Sequence, residues 1–402
     1  MKIPSNIIFY IYPLPVFFFP LSTAVTGITA AILLLVYLLS DCWKNWRAIT
    51  QRSWALPLAG LMLWTFLGLL WSHDIQAGMK VAATAAYGIY AFMGATLPWE
   101  EKRVRLFVRY FLVGIFINGI IAVLISTGIL TWSFGQPHPF VGLASHIWWS
   151  MALTHGLLWF LWDWRHSWAF PRWVIAPMAL LYFLDLILSP ARSGQLLFLL
   201  LTPMAILILY VGKWRRWGFA ALMLAALAMA LSPLVQHRVE IGISNLEQFW
   251  NNPNSTDTSW GIRIATMWAG TEMFIQHPLI GVGTGDFGQQ MLRLQDQGVV
   301  PKTPGNFNTS ASNSYISEAA ALGFPGLLLF ILFLWKLSIE TWKANRTPQG
   351  WFVLTYLGIF LIGGLYNTLS WGYADAMGIA LFAGLPLTEL SKTGNKKREG
   401  YS

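Results

Sequence analysis

Apolar runs long enough to cross roughly 30 Å of hydrocarbon as helices recur along nearly the whole chain. They lie near residues 6–20, 22–40, 54–71, 78–97, 106–127, 143–162, 172–189, 192–211, 217–235, 314–335, 350–366 and 373–390. The pattern predicts twelve membrane helices, or eleven if Pro13 and Pro15 merge the first with the second. It divides the chain into helices over 1–235, an outer loop over 236–313, helices over 314–390 and a tail over 391–402. The loop, about 78 residues from Gln236 to Asn313, is too long to be a mere connection. Within it Ile264, Met267, Trp268, Thr271, Phe274 and Ile275 recur at helical spacing, which predicts an amphipathic helix lying on the membrane domain through that stripe. The helix should end near Pro278 and pass into "LIGVGTGDF", where Gly281, Gly283 and Gly285 permit a tight turn. The stretch from Asn251 to Ser259, "NNPNSTDTS", reads as an exposed loop.

Composition supports an all-α polytopic membrane protein. Hydrophobic residues make up 56% and charged residues 11% of 402, with 23 tryptophans, more apolar surface than water can cover. The first run has no small-residue cleavage site, so it is expected to be a retained span. The single cysteine, Cys42, excludes an intramolecular disulfide, and no Cys/His spacing suggests zinc.

Charge then sets orientation. Of 26 Lys and Arg, 20 fall in alternate connections and at the termini; the exceptions are Lys80, Arg192, Arg238, Arg263, Arg293 and Lys302. The positive-inside rule places both termini in the cytoplasm and the long loop outside. The net charge of +9 is thus a topology signal, and nucleic acid is not an expected partner.

Candidate chemistry is confined to few polar residues. In "LSPARSGQLL", Ser189 is placed to cap and Pro190 to start a helix. Arg192 would then stand at the positive end of the helix dipole, an unfavourable place without an anion. With Ser193 and the free amides it forms a phosphate or diphosphate clamp, unless it simply reaches toward headgroups. Arg263 opens the loop helix and is either a second cation of the site or a solvated charge. His146 starts a span on the outer side and His277 precedes Pro278; each is a proton carrier or a cap. Asp185, Asp375 and Glu318 are costly in lipid and should face a partner or cavity. In "SASNSYISEAA", Asn313 or Ser314 is positioned to cap the helix that carries Tyr315 and Glu318. The glycines of "GVGTGDF" lack the strand of a dinucleotide fold and the Lys-Ser/Thr of a P-loop.

Taken together, "RIATMWAGTEMFIQHPLIGVGTGDF", "SNSYISEAAALGFPGLLLF", "SPARSGQLLFLLL" and "YNTLSWGYADAMG" resemble the signature regions of the O-antigen ligase and O-antigen polymerase superfamily of bacterial envelope glycosyltransferases. The resemblance implies a GT-C-like enzyme of the inner membrane with its active site facing the periplasm. Its donor would be an undecaprenyl-diphosphate-linked glycan and its acceptor a sugar hydroxyl of lipid A-core, joined with inversion and without metal or other cofactor. Arg192 and Arg263 match the family's two diphosphate-binding arginines. Ser193, Asn313, Tyr315, Glu318, His146 and Asp375 are the further residues expected to bind substrate.

One position departs from the family. Where it has a histidine before the Asn-x-Tyr helix start, this chain has Ser312, which cannot serve as an unassisted base at neutral pH. Either the chain is impaired, or His146 or His277 substitutes, or the acceptor needs orientation more than deprotonation. Among superfamily members, a protein-glycosylating enzyme is expected to carry a soluble region after the last span, which disfavours that assignment. A polymerase with the same donor, and a non-catalytic carrier of lipid-linked glycan, remain the alternatives.

Overall fold

A computed structural model describes residues 5–131, 140–252, 256, 258–303 and 309–387. Lys2, Asn308, most of the stretch 253–257, and the tail 391–402 with Lys392, Lys396, Lys397 and Arg398 lie outside the described residues. All regular structure among the described residues is helical. In chain order the α-helices are α1 (Ser5–Ile11), α2 (Leu14–Phe18), α3 (Thr23–Leu39), α4 (Arg47–Thr50), α5 (Ala55–Leu67) and α6 (Ile75–Ala86). There follow α7 (Ile89–Thr96), α8 (Glu101–Ser126), α9 (His146–His166), α10 (Arg172–Leu188), α11 (Arg192–Leu209) and α12 (Gly212–Leu231). The last six are α13 (Pro233–Asn251), α14 (Ser259–Gln276), α15 (Phe287–Asp296), α16 (Ser314–Lys343), α17 (Pro348–Gly363) and α18 (Tyr373–Ala383).

Among the described residues, α8, α11 and α16 are each long and apolar enough to cross a membrane; the number rises to five if each of two bent pairs is one span. One such pair is α12 with α13, bent by 70° at Ser232. Several of the remaining apolar runs form shorter helices, among them α17 and α18. Many large apolar side chains point outward, including Leu56, Leu70, Met223 and Leu224. Such a surface requires hydrocarbon around it.

Helix α9 lies at the centre, packed against α10, α11 and α17. Between apolar helices in lipid, close packing replaces the hydrophobic drive, so small residues decide the approach. A Cβ on Gly194 of α11 would stand 2.2 Å from the Ser150 carbonyl oxygen of α9, and one on Gly156 would stand 2.4 Å from the Tyr182 ring. Farther along, Phe107, Phe111, Phe352 and Phe382 pack edge to face around buried His155, whose Nε2 lies 2.9 Å from the Phe352 carbonyl. Asp185 is fully buried on α10 against Gly119 of α8, and neither carboxylate oxygen has a hydrogen-bond partner among the described residues. The partner expected for it is thus not among them.

The long connection differs from expectation in two ways. Its first part is helical, as α13 continues from Pro233 to Asn251 with no buried residue. Val239, Ile243, Leu246 and Trp250 share one exposed face of α13, so this is the helix that presents an apolar stripe outward. The expected helix over 262–277 is present as α14, but it packs against α16 through its small face. Gly261, Ala265, Thr266, Ala269, Gly270 and Met273 are buried, whereas Trp268 and Ile275 of the predicted stripe are exposed. The correction has a physical cause: in a membrane protein bulky apolar residues face lipid as readily as the core, while helices approach through small ones.

The glycine turn does what its φ angles require. Gly281 and Gly283 adopt φ of +71° and +114°, a region open to glycine, and the turn plugs into a break in α16. At Gly323, φ +66°, the helix is interrupted two residues before Pro325. The carbonyls freed there are taken up from outside: Val282 and Gly283 N–H donate to Ala320 and Ala321 (2.9 and 3.0 Å), and Trp64 Nε1 donates to Leu322 (2.9 Å). Phe324 N–H in turn donates to the Pro278 carbonyl at 2.8 Å. "GVGTGDF" is therefore a docking element. Beyond it Asp286, buried to 99% of its side chain, accepts hydrogen bonds from Ser72 Oγ and from the amides of His73 and Asp74, with His73 Nδ1 at 2.8 Å. The loop is thus tied to the start of α6.

Candidate functional site

Helix α11 begins at Arg192, two residues later than Ser189 capping would require. Its N-cap is Ala191, which offers no side-chain acceptor; Ser189 Oγ instead accepts from the Ala191 amide at 3.3 Å. A residue of another helix supplies what the N-cap lacks, since Ser150 Oγ of α9 accepts from the Gly194 amide at 3.1 Å. The start of α11 is thus held against α9 with Arg192 and Ser193 at its end.

Three further elements converge there. From α13, a Cβ on Gly242 would come within 2.6 Å of Arg192 Nη1, and Arg238, one turn earlier, is near enough for its charge to act on Arg192. From α14, Arg263 donates to Ser259 Oγ at 3.1 Å and to Asn367 Oδ1 at 3.4 Å. Asn367, in the α17–α18 connection, donates in turn from Nδ2 to Ser193 Oγ at 3.5 Å, and Tyr366 Oη donates to the Ser193 carbonyl at 3.2 Å. Asn367 thus bridges Arg263 to Ser193, the neighbour of Arg192.

No carboxylate pairs with Arg192, Arg238 or Arg263 among the described residues. Burial, and after it the charge of Arg192, lowers the Arg263 guanidinium from its ordinary value, while Tyr366 opposes the shift. The Tyr366 hydroxyl acts as a donor, to the Ser193 carbonyl. A guanidinium keeps its proton in spite of such shifts. Three cations gathered at a helix N-terminus, itself electropositive, repel one another and favour an anion of two or more charges.

The start of α16 stands beside this cluster. Ser312 has a left-handed backbone, φ +51°, and its Oγ accepts from Thr266 Oγ1 at 3.0 Å, one turn along α14 from Arg263. Asn313 is the helix cap: Oδ1 accepts from the Ile316 amide at 3.0 Å and Nδ2 donates to the Leu365 carbonyl at 2.8 Å. Ser314 Oγ donates to the Asn367 carbonyl at 3.1 Å and accepts from the Leu369 amide at 2.8 Å. The α17–α18 connection, and with it Asn367, is thereby fixed to α16. Tyr315 Oη donates to the Leu361 carbonyl at 3.0 Å, a bond that ties α16 to α17.

The remaining candidates are more scattered. Glu318 is buried and accepts from Trp371 Nε1 at 3.0 Å, one turn farther into the bundle. His146 begins α9, one turn before Ser150, and so stands at the same end of the bundle as Arg192. His277 is the C-cap residue of α14 and exposed, away from the arginines at the other end of that helix. Asp375, in the first turn of α18, has its carboxylate over Gly372, whose Cβ would lie 2.9 Å from Oδ2. Sequence reading missed Arg238, Tyr366 and Ser150 as members of the cluster. Arg238 is marked only as one of the six basic residues outside the alternate connections and Ser150 by nothing local, whereas Tyr366 and Asn367 lie in the quoted string "YNTLSWGYADAMG".

A helical protein with membrane-span-like helices and three arginines gathered at the start of one of them is the class these features define. Residues 177–331, which contain Arg192, Arg238 and Arg263, match the O-antigen ligase family. Over that segment, less than half of its length, the chain is similar to O-antigen ligases. No curated protein matches the chain.

Proposed function

We propose that the protein is an O-antigen ligase of the bacterial inner membrane, with twelve spans of GT-C type, both termini cytoplasmic and the arginine site facing the periplasm. The donor is a glycan on undecaprenyl diphosphate and the acceptor a sugar hydroxyl of lipid A-core. The observation that carries this reading is the cluster of Arg192, Arg238 and Arg263, without a counter-charge among the described residues, inside the segment that matches the family.

A diphosphate would bind across the start of α11, with Arg192 and Arg263 on its oxygens and Asn367 setting their separation. The acceptor oxygen attacks the anomeric carbon as the bond to the diphosphate breaks, which inverts that carbon. Negative charge grows on the leaving diphosphate in the transition state, where the guanidiniums stabilise it more than in the ground state. Ser312 and Thr266 offer hydroxyls that orient the attacking oxygen, whose proton passes to the leaving group or to solvent. No strong base is required when bond breaking leads bond making.

The test is transfer in vitro from undecaprenyl-diphosphate glycan to lipid A-core by the purified protein. Product that depends on lipid A-core supports the ligase. Extension of the donor glycan instead would establish a polymerase, and donor binding without either product would establish a carrier.

A further inference from the structure

The α17–α18 connection has a second face. On one side Tyr366 and Asn367 meet the arginine cluster; on the other Thr368 and Trp371 line a cleft between the loop and α6. The outer part of this cleft, about 500 Å³ and open to solvent, is the more polar, with Asp74, Lys80, Gln289 and Ser310 on walls completed by Phe287 and Leu292. The inner part is narrow, about 60 Å³, and walled by Leu58, Met62, Phe330, Phe333 and Phe360. Val81, Thr84 and Trp371 line both parts, so the two adjoin as a groove that passes from more polar to apolar.

Glu318 stands where the two parts meet. It lines the inner part and holds the Trp371 indole through Nε1 at 3.0 Å. Trp371 is thereby kept between the roomier polar space and the narrow apolar one. A groove of this gradient suits an amphiphile, since such sites bind through apolar walls and a few placed polar groups. Its polar part has one cation and one carboxylate, Lys80 and Asp74, which match hydroxyls better than a diphosphate.

We propose that this groove holds the acceptor lipid, its sugar in the outer part and the end of an acyl chain in the narrow inner part, with Glu318 as the positioning residue for Trp371. The inference rests on the ligase reading above. It puts the two substrates on opposite faces of the segment Tyr366–Trp371, which a transferase needs in order to bring them to one centre.

The full-length protein in detergent is tested with lipid A-core alone, by native mass spectrometry, and with both substrates, by initial rates. Thr84→Trp fills the junction; Ala376→Phe, on the opposite wall, serves if the first variant fails to fold, and Thr84→Ser is the control. Retention of lipid A-core should fall at least fivefold and its KM rise at least tenfold, with the donor KM unchanged within twofold. Glu318→Leu should raise the acceptor KM and Glu318→Gln, which still accepts from the indole, should restore it. A rise in the donor KM instead, or unchanged retention and KM, overturns the proposal. If the unaltered protein transfers nothing, the ligase reading fails by itself, and loss of lipid retention in Thr84→Trp still decides for the groove, equal retention against it.

Discussion

Two charged clusters anchor the outer loop, and they are built on opposite terms. Asp286 is one buried carboxylate surrounded by donors, from Ser72, His73 and Asp74. Arg192, Arg238 and Arg263 are three cations with no carboxylate partner among the described residues, and Arg263 is held by the Ser259 hydroxyl and the Asn367 amide oxygen. A buried polar group with its valences filled holds a fold together. Like charges held close and left uncompensated cost stability, and such an arrangement marks a place for a ligand.

The sharpest way to break this comparison is to remove charge from each cluster. Arg263→Ala or Arg192→Ala should lower transfer by about 10²–10³-fold, the scale for deleting one group that stabilises transition-state charge. Their thermal midpoints should stay level or rise, because a repulsive cation is gone. Rates and melting curves on the same preparations check this, and a large fall in midpoint would make the arginines structural. Asp286→Ala should do the reverse, costing about 1–3 kcal/mol through the donors it leaves unsatisfied, with the remaining folded fraction still active.

The pH dependence separates the clusters further. Burial pushes the Asp286 carboxyl up, but the hydrogen bonds from Asp74, His73 and Ser72 outweigh it and hold it below its ordinary value. A depressed carboxyl stabilises the folded state above the unfolded value, about 4, and loses that contribution as pH falls through the folded value. Melting midpoints should therefore be flat for this group near neutrality and fall in acid, and Asp286→Asn should lack that part of the acid loss. The arginines stay charged throughout and should add no such step.

The smallest effect is expected at Ser312. Its left-handed φ of +51° is a conformation in which histidine, like asparagine and aspartate, is enriched among non-glycine residues. Ser312→His should fold normally and change the transfer rate by less than tenfold, as befits an orienting position. A gain well beyond that would show that a base at this place limits the reaction.

How much was legible depended on whether the signal was local. Helix positions followed from apolar runs, as for α8, α11 and α16. Arg192 and Arg263 stood out because arginine at a helix start on the less basic side is costly. The burying face of α14 was misread because Trp268 and Ile275 look like a core stripe, whereas Ala265, Ala269 and Gly270 make the contact. The break at Gly323 is visible as "GFPG", but its filling by Val282 and Gly283 joins segments some forty residues apart.

Hydropathy by itself determined that this is a helical chain with segments fit to cross a membrane, because lipid acts on each segment independently. The local motifs also singled out two arginines for an anionic substrate. Only the tertiary structure decided that Arg238 joins them, that Asn367 bridges Arg263 to Ser193, and that Glu318 serves a groove on the other face of the same connection. Those relations depend on which helices touch, and in lipid that is set by small-residue packing and hydrogen bonds between distant segments.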